Sequence, residues 1–191
     1  PGGYVEGLND ARTQLAGFFS ILPPIATEVA MPVLKRLQTY LDSHKISYKV
    51  LNHDKAFSAQ RTAEALHVPG DLFAKVVVVK ADQRFVTVVI PSTWRVDFRR
   101  LEEALDSKHV RLATEHELAE LFPDCEVGTM PPFGNLYNMA VYVDQLLTKD
   151  EHIFFDAGTH TGAMKLRYRD FAELVHPTVA QFHREPSTLQ Y

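Results

Sequence analysis

Two runs of β-branched residues constrain this chain more than anything else in it. AKVVVVKAD (Ala74–Asp82) and RFVTVVIP (Arg84–Pro91) follow one another across a short polar turn around Asp82 and Gln83. Valine, isoleucine and threonine suit a pleated, half-buried surface, so the pair reads as a central β-hairpin. The elements around it alternate in kind. Val33, Leu34, Leu37, Tyr40 and Leu41 form one apolar stripe, predicting an amphipathic helix from about Val33 to Lys45. SYKVLNH (Ser47–His53) alternates toward a strand, and Ser58 can cap a short helix through about Leu66. Phe98, Leu101 and Leu105 mark another helix, and Thr114 with Glu117 makes a capping box for one that ends near Phe122. NMAVYVD, HIFFDAG and AMKLRYR read as three further strands. Asp170 with Glu173 is expected to cap a last helix, DFAELVHP, which Pro177 ends. Helices scattered among hairpin-like strand pairs predict an α+β fold: a single domain with a mixed, mostly antiparallel sheet packed with several helices.

Composition narrows the function classes. A chain of 191 residues suits one domain. Its net charge of −4 argues against coating a nucleic-acid backbone, though a small site could still hold one or two phosphates. Cys125 is the single cysteine, which rules out an internal disulfide framework and suits a reducing cytoplasm. The segment LAGFFSILPPIA (Leu15–Ala26) is too short for a membrane span of roughly 20 residues. Pro23 and Pro24 break it, and it lacks the basic flank of a signal peptide. Regular patterning begins at Met31. Residues 1–30 are therefore expected to be an extension outside the core, 31–183 the domain, and 184–191 a C-terminal tail.

Several residues could carry chemistry. Lys75 stands at the start of an apolar strand, where it could snorkel to the surface or bring an ammonium to a phosphate or a developing oxyanion. GTMPPFGN (Gly128–Asn135) brackets Pro131 and Pro132 with Gly128 and Gly134. It is either a tight structural turn or a wall of N–H groups facing a ligand carbonyl. DAGTHTGAMK offers Asp156, Thr159, His160 and Thr161 as hydrogen-bonding groups or a proton carrier, or is simply an exposed turn between strands. His53 and Asp54 are neighbours on a strand, so their side chains diverge and a local turn hydrogen bond is the simpler role. EHELAE (Glu115–Glu120) has Glu120 where a zinc protease helix needs its second histidine, so no metal is expected, and without a Walker A or Rossmann glycine pattern no other cofactor is expected either. Acidic neighbours at Asp124 and Glu126 argue against a reactive Cys125. Arg95, Arg99, Arg100, Lys108 and Arg111 alternate with acids and read as a solvated helix face.

These segments, in this order, resemble the YbaK/EbsC-like family, relatives of the editing domain of bacterial prolyl-tRNA synthetases. HDKAFSAQRTAEALHVPGDLFAK resembles the family's stretch from a strand-end histidine, here His53, to its characteristic lysine, here Lys75. GTMPPFG resembles its G-x-x-x-P-x-G loop at Gly128, Pro132 and Gly134, and IFFDAG its glycine turn at Gly158. The resemblance implies a trans-editing deacylase domain over 31–183 that hydrolyses the ester of a mischarged aminoacyl-tRNA. It implies catalytic roles for Lys75 and for N–H groups near Gly134. His53, Gly128, Thr129, Met130, Pro131, Pro132, Phe133, Asp156, Gly158, Thr159 and His160 would then bind the substrate. The implied partner is the aminoacyl-tRNA acceptor end, with a synthetase as a further candidate and neither DNA nor membrane. Asp156-Ala157-Gly158 stands where some members have Ser-Gly-Gly, and Pro131 where a small polar residue is common. The implied amino acid is therefore only small: alanine, serine, threonine or cysteine. A non-catalytic module that binds a tRNA end or a synthetase is the alternative.

Overall fold

The computed structural model describes residues 34–185; the expected extension over 1–30, and residues 186–191 of the expected tail, lie outside them. In chain order the elements are α1 (Lys35–Ser43), β1 (Tyr48–Asn52), α2 (Ala59–Ala65), β2 (Phe73–Ala81), β3 (Arg84–Pro91), β4 (Arg95–Val96) and α3 (Phe98–Leu105). There follow β5 (Val110–Leu112), α4 (Glu115–Leu121), β6 (Ala140–Asp144), β7 (His152–Thr159), β8 (Gly162–Arg167), α5 (Tyr168–Val175), β9 (Thr178–Ala180) and β10 (His183–Arg184). The β-branched runs do form the central hairpin, in register from Ala74 opposite Pro91 to Ala81 opposite Arg84. Asp82 makes the turn at φ 51°, a left-handed conformation that aspartate tolerates better than branched residues.

The main sheet runs β1-β8-β7-β2-β3-β6-β9, with β5 pairing β2 beyond that path. The β7–β2, β3–β6 and β6–β9 seams are parallel, and β1–β8, β7–β8, β2–β3 and β2–β5 are antiparallel. Cross-strand partners share a face while sequence neighbours alternate, so the register assigns every side chain to one side. Phe73, Lys75, Val77 and Val79 lie on the face with Ile90, Val88 and Val86. There α3 contributes Leu101 and Leu105 to a core shared with Phe182, and α2 contributes Ala63 to a cluster with Phe73 and Ala163. The opposite face carries Ala74, Val89, Val141 and Phe155, covered by Leu37 and Leu41 of α1 and Phe171 of α5. Both α1 leucines are fully buried, each contributing about 1.5–3 kcal/mol relative to exposure.

Local signals in the sequence are mostly realised. Ser58 caps α2 by accepting from the Arg61 N–H, and Thr114 with Glu117 forms the full capping box of α4. Two expectations are corrected. Asp170 does not cap the last helix: β8 runs directly into α5 at Tyr168, and Asp170 sits buried in the first turn with Arg167 Nε 3.0 Å away. There its negative charge faces the positive end of the helix. The turn expected in DAGTHTGAMK is also shorter than the segment. β7 continues to Thr159, leaving only a tight turn at His160 and Thr161 before β8, and Asp156 lies buried within the strand.

Candidate active site

The parallel pairing of β2 with β7 covers only Phe73 with Phe154 and Ala74 with Phe155. Past Phe155 the edge that β7 turned toward β2 is taken over by other backbone. Leu34 N–H donates to Ala157 O, Gly158 N–H to Thr129 O, and Glu126 N–H to Gly158 O. Gly158 has φ +95°, and a Cβ there would sit 2.9 Å from Leu34 Cβ, so both its conformation and its neighbour require glycine. β2 and β7 thus part immediately before Lys75 and Asp156. Alternation places both residues on the face that α2 covers.

Lys75 reaches into a cavity of about 220 Å³ lined by Ser58, Ala59, Gln60, Ser92, Thr93, Trp94 and Arg95. Its ammonium donates to Ser92 O at 3.1 Å and to Trp94 O. These carbonyls belong to the turn after β3, which is fixed by Ser92 N–H donating to Phe73 O at 2.7 Å and Ser92 Oγ to Gly70 O at 2.9 Å. An ammonium carries three donors, and among the described residues only these two carbonyls accept from it. Burial, and then the charge of Arg95, hold the Lys75 pKa below the ordinary lysine range.

Asp156 is 7% exposed and has the Thr62 side chain of α2 as its hydrogen-bonding partner. Burial pushes its carboxyl up to about 7, with the Thr62 bond only partly opposing the shift. A carboxyl poised there exchanges protons near neutral pH. The turn beyond it is also held. His160 Nδ1 donates to Ala56 O at 2.9 Å, its N–H donates to Glu126 Oε2, and its ring packs 4.8 Å from the exposed Phe57. His53 Nδ1 donates to Asp54 O at 2.8 Å, the local turn bond expected of that pair, while its Nε2 is enclosed without a partner among the described residues.

The GTMPPFGN loop divides. Gly128, at φ +92°, is exposed, and Thr129 joins β7 through Gly158. Met130, Pro131, Pro132, Phe133 and Gly134 are buried, and Met130, Phe133 and Gly134 pack on the other side of the sheet. Phe133 packs edge-on against Phe171 at 5.5 Å, and a Cβ on Gly134 would stand 2.5 Å from Thr87 Oγ1 and 3.0 Å from Val141 Cγ2. Thr87 pairs with Val78, so it faces away from Lys75. Gly134 therefore lies across the sheet from Lys75, and its missing side chain is accounted for by core packing. Thr159 ends β7 half-buried. Burial first, then Asp124, raises the Cys125 thiol to about 11 despite a bond to Tyr137, a direction that disfavours the thiolate. Thr62 and the two carbonyls around Lys75 went unforeseen. A threonine inside a short helix has no distinctive pattern, and a backbone carbonyl has no sequence signal at all.

A family model for an aminoacyl-tRNA editing domain matches residues 53–174, from His53 at the end of β1 into α5. No curated protein matches the sequence. Among solved structures, the hypothetical protein APE2540 superposes with a TM-score of 0.72 at 21% identity, over 78% of this chain and 100% of its own. A proposed trans-editing enzyme for prolyl-tRNA synthetase gives 0.70 at 20% identity, over 81% and 98%. A proposed signal transduction protein from Marinobacter aquaeolei VT8 gives 0.63 at 14% identity, over 78% of this chain and 30% of its own. At these identities the likeness is one of fold. Among the described residues no helix is long and apolar enough to cross a membrane.

Proposed function

Because the chain belongs to the aminoacyl-tRNA editing domain family, the YbaK family, we propose that it acts in trans to hydrolyse mischarged aminoacyl-tRNA. The amino acid released is a small one: alanine, serine, threonine or cysteine. The observation that carries this reading is the placement of Lys75 and Asp156 on one face, just past the point where β2 and β7 part. The setting is cytoplasmic, and the macromolecule engaged is the acceptor end of the tRNA.

An aminoacyl ester is already activated, so positioning and electrostatics suffice without a protein nucleophile. The third N–H of Lys75 stabilises the carbonyl oxygen as negative charge develops on it. Asp156, ionised in part near neutral pH, takes a proton from the attacking water. The water oxygen bonds to the carbonyl carbon, the ester C–O bond breaks, and a proton ends on the ribose oxygen of the tRNA. Asp156 gives up the proton it took, directly or through solvent, to that leaving oxygen, and the released amino acid's carboxyl loses its own proton to solvent. The cavity of about 220 Å³ at Lys75 is below the roughly 300–1,000 Å³ usual for drug-sized ligands, which suits a small acyl group. Such a pocket rejects a substrate differing by one methylene only about 10- to 200-fold.

Turnover tests the proposal. An editing enzyme releases free amino acid from a large excess of mischarged tRNA, in many cycles per molecule of protein. If the ester instead becomes protected in proportion to the protein added, the chain is a binder of charged tRNA and the hydrolytic reading fails.

A further inference from the structure

Beside the Lys75 cavity, two arginines stand where their charges oppose each other. β4 and β10 form a separate antiparallel ribbon in which Arg184 lies directly opposite Arg95 and His183 opposite Val96. Directly opposed like charges destabilise a strand pair. Both arginines are exposed, and neither has an ion-pair or hydrogen-bond partner for its side chain among the described residues. Arg95 therefore does not belong to the solvated helix face that the sequence suggested.

The rest of the ribbon is firmly held. Asp144, fully buried, accepts from Phe182 N–H at 2.9 Å and from His183 Nδ1 at 2.8 Å. Asp97 N–H donates to Phe182 O at 2.7 Å, and the Trp94 ring stands edge-on to His183 at 4.9 Å. A buried carboxylate thus fixes in place the backbone that carries the two opposed arginines.

Position says what would relieve it. Arg95 lines the Lys75 cavity, Arg184 lines a second cavity of about 320 Å³, and Trp94 borders both. Of the acids at the second cavity, Asp97 is occupied in capping α3 and in pairing Arg100 at 3.8 Å, while Glu185 is the other. We infer that Arg95 and Arg184 together grip a backbone phosphate of the single-stranded acceptor end, next to the nucleotide whose ester lies at Lys75. Two guanidinium forks match the non-bridging oxygens of one phosphate diester, and an aromatic side chain between cationic groups is the usual provision for single strands. The inference rests on the editing reading for the identity of the ligand, and it explains how a chain of net charge −4 takes hold of RNA.

The test uses Arg184→Glu and Arg184→Gln in the full chain. Arg184→Glu converts the opposed pair into an attractive one, so its Tm should equal or exceed that of the wild type. Its kcat/KM on a mischarged tRNA should nonetheless fall about tenfold or more relative to its kcat/KM on 3′-aminoacyl-adenosine carrying the same amino acid. For both variants, affinity for uncharged tRNA should become less salt-dependent, the log–log slope flattening by about 0.7 for each phosphate no longer gripped. An unchanged substrate ratio with an unchanged salt slope would overturn the grip. If the wild type hydrolyses neither substrate, the deacylase reading fails by itself. Uncharged-tRNA affinity then decides the grip: weaker binding by Arg184→Glu upholds it, and equal binding overturns it.

Discussion

Lys75 and Asp156 are the first residues past the last paired positions of β2 and β7, Ala74 and Phe155, and they share the face beneath α2. The proposed division of labour at the site rests on this relationship. A cation held by backbone carbonyls and a carboxyl kept largely dry are thereby set on one side of the sheet, just past the parting of the strands. It also makes each residue's contribution separable by experiment.

Asp156 should make stability fall as pH rises. Its carboxyl is raised from 3.8 to about 7 in the folded protein, so between those values the native state holds a proton that the unfolded chain has released. Stability is then greatest below the unfolded value and is lost as pH climbs through the folded one. At about 1.4 kcal/mol per unit, the loss is on the order of a few kcal/mol. Asp156→Asn should abolish that slope, leaving a variant more stable than the wild type at pH 8 and no more stable at pH 3.5. Urea titrations across this range check it, and parallel curves for the two proteins would contradict it.

Gly134→Ala should damage folding rather than chemistry. The new Cβ would press on Thr87 and Val141 inside the core, an overpacking worth about 1–3 kcal/mol. Denaturation should register that loss, while deacylation per folded molecule stays within about twofold of wild type at low temperature. A stable Gly134→Ala protein without activity would return the residue to the catalytic centre.

Asp144→Ala should release the C-terminal ribbon. The buried carboxylate accepts from Leu146 N–H at 3.0 Å as well as from Phe182 and His183, and leaving such donors unpaired costs about 1–3 kcal/mol each. Trp94 is the sole tryptophan and packs on His183, so its fluorescence should shift toward that of a solvated indole before global unfolding. An emission spectrum identical to wild type would show the ribbon held by something else.

What could be read from the sequence was local. The hairpin announced itself because β-branched runs with a polar turn leave few alternatives, and Thr114 with Glu117 marked a helix start because the two bonds of a capping box lie within one turn. Lys75 was legible as a cation at the mouth of an apolar strand. Asp156 was not legible as a buried group, since DAGTHTG has the composition of a turn and the Thr62 partner comes from α2, much earlier in the chain. Gly134 was ambiguous for a related reason: a glycine that admits a ligand and one that admits Thr87 look alike in a sequence. The opposition of Arg95 and Arg184 depends on a strand pairing that no local pattern specifies.

The most direct measurement is a deacylation panel with tRNAs charged with alanine, serine, threonine, cysteine and proline, run with the wild type and with Lys75→Ala. The account predicts catalytic release of one of the four small amino acids, reduced about 100-fold or more in the variant while its circular dichroism and Tm stay near wild type. Full activity in Lys75→Ala, or release of none of the five by a folded wild-type protein, would contradict it.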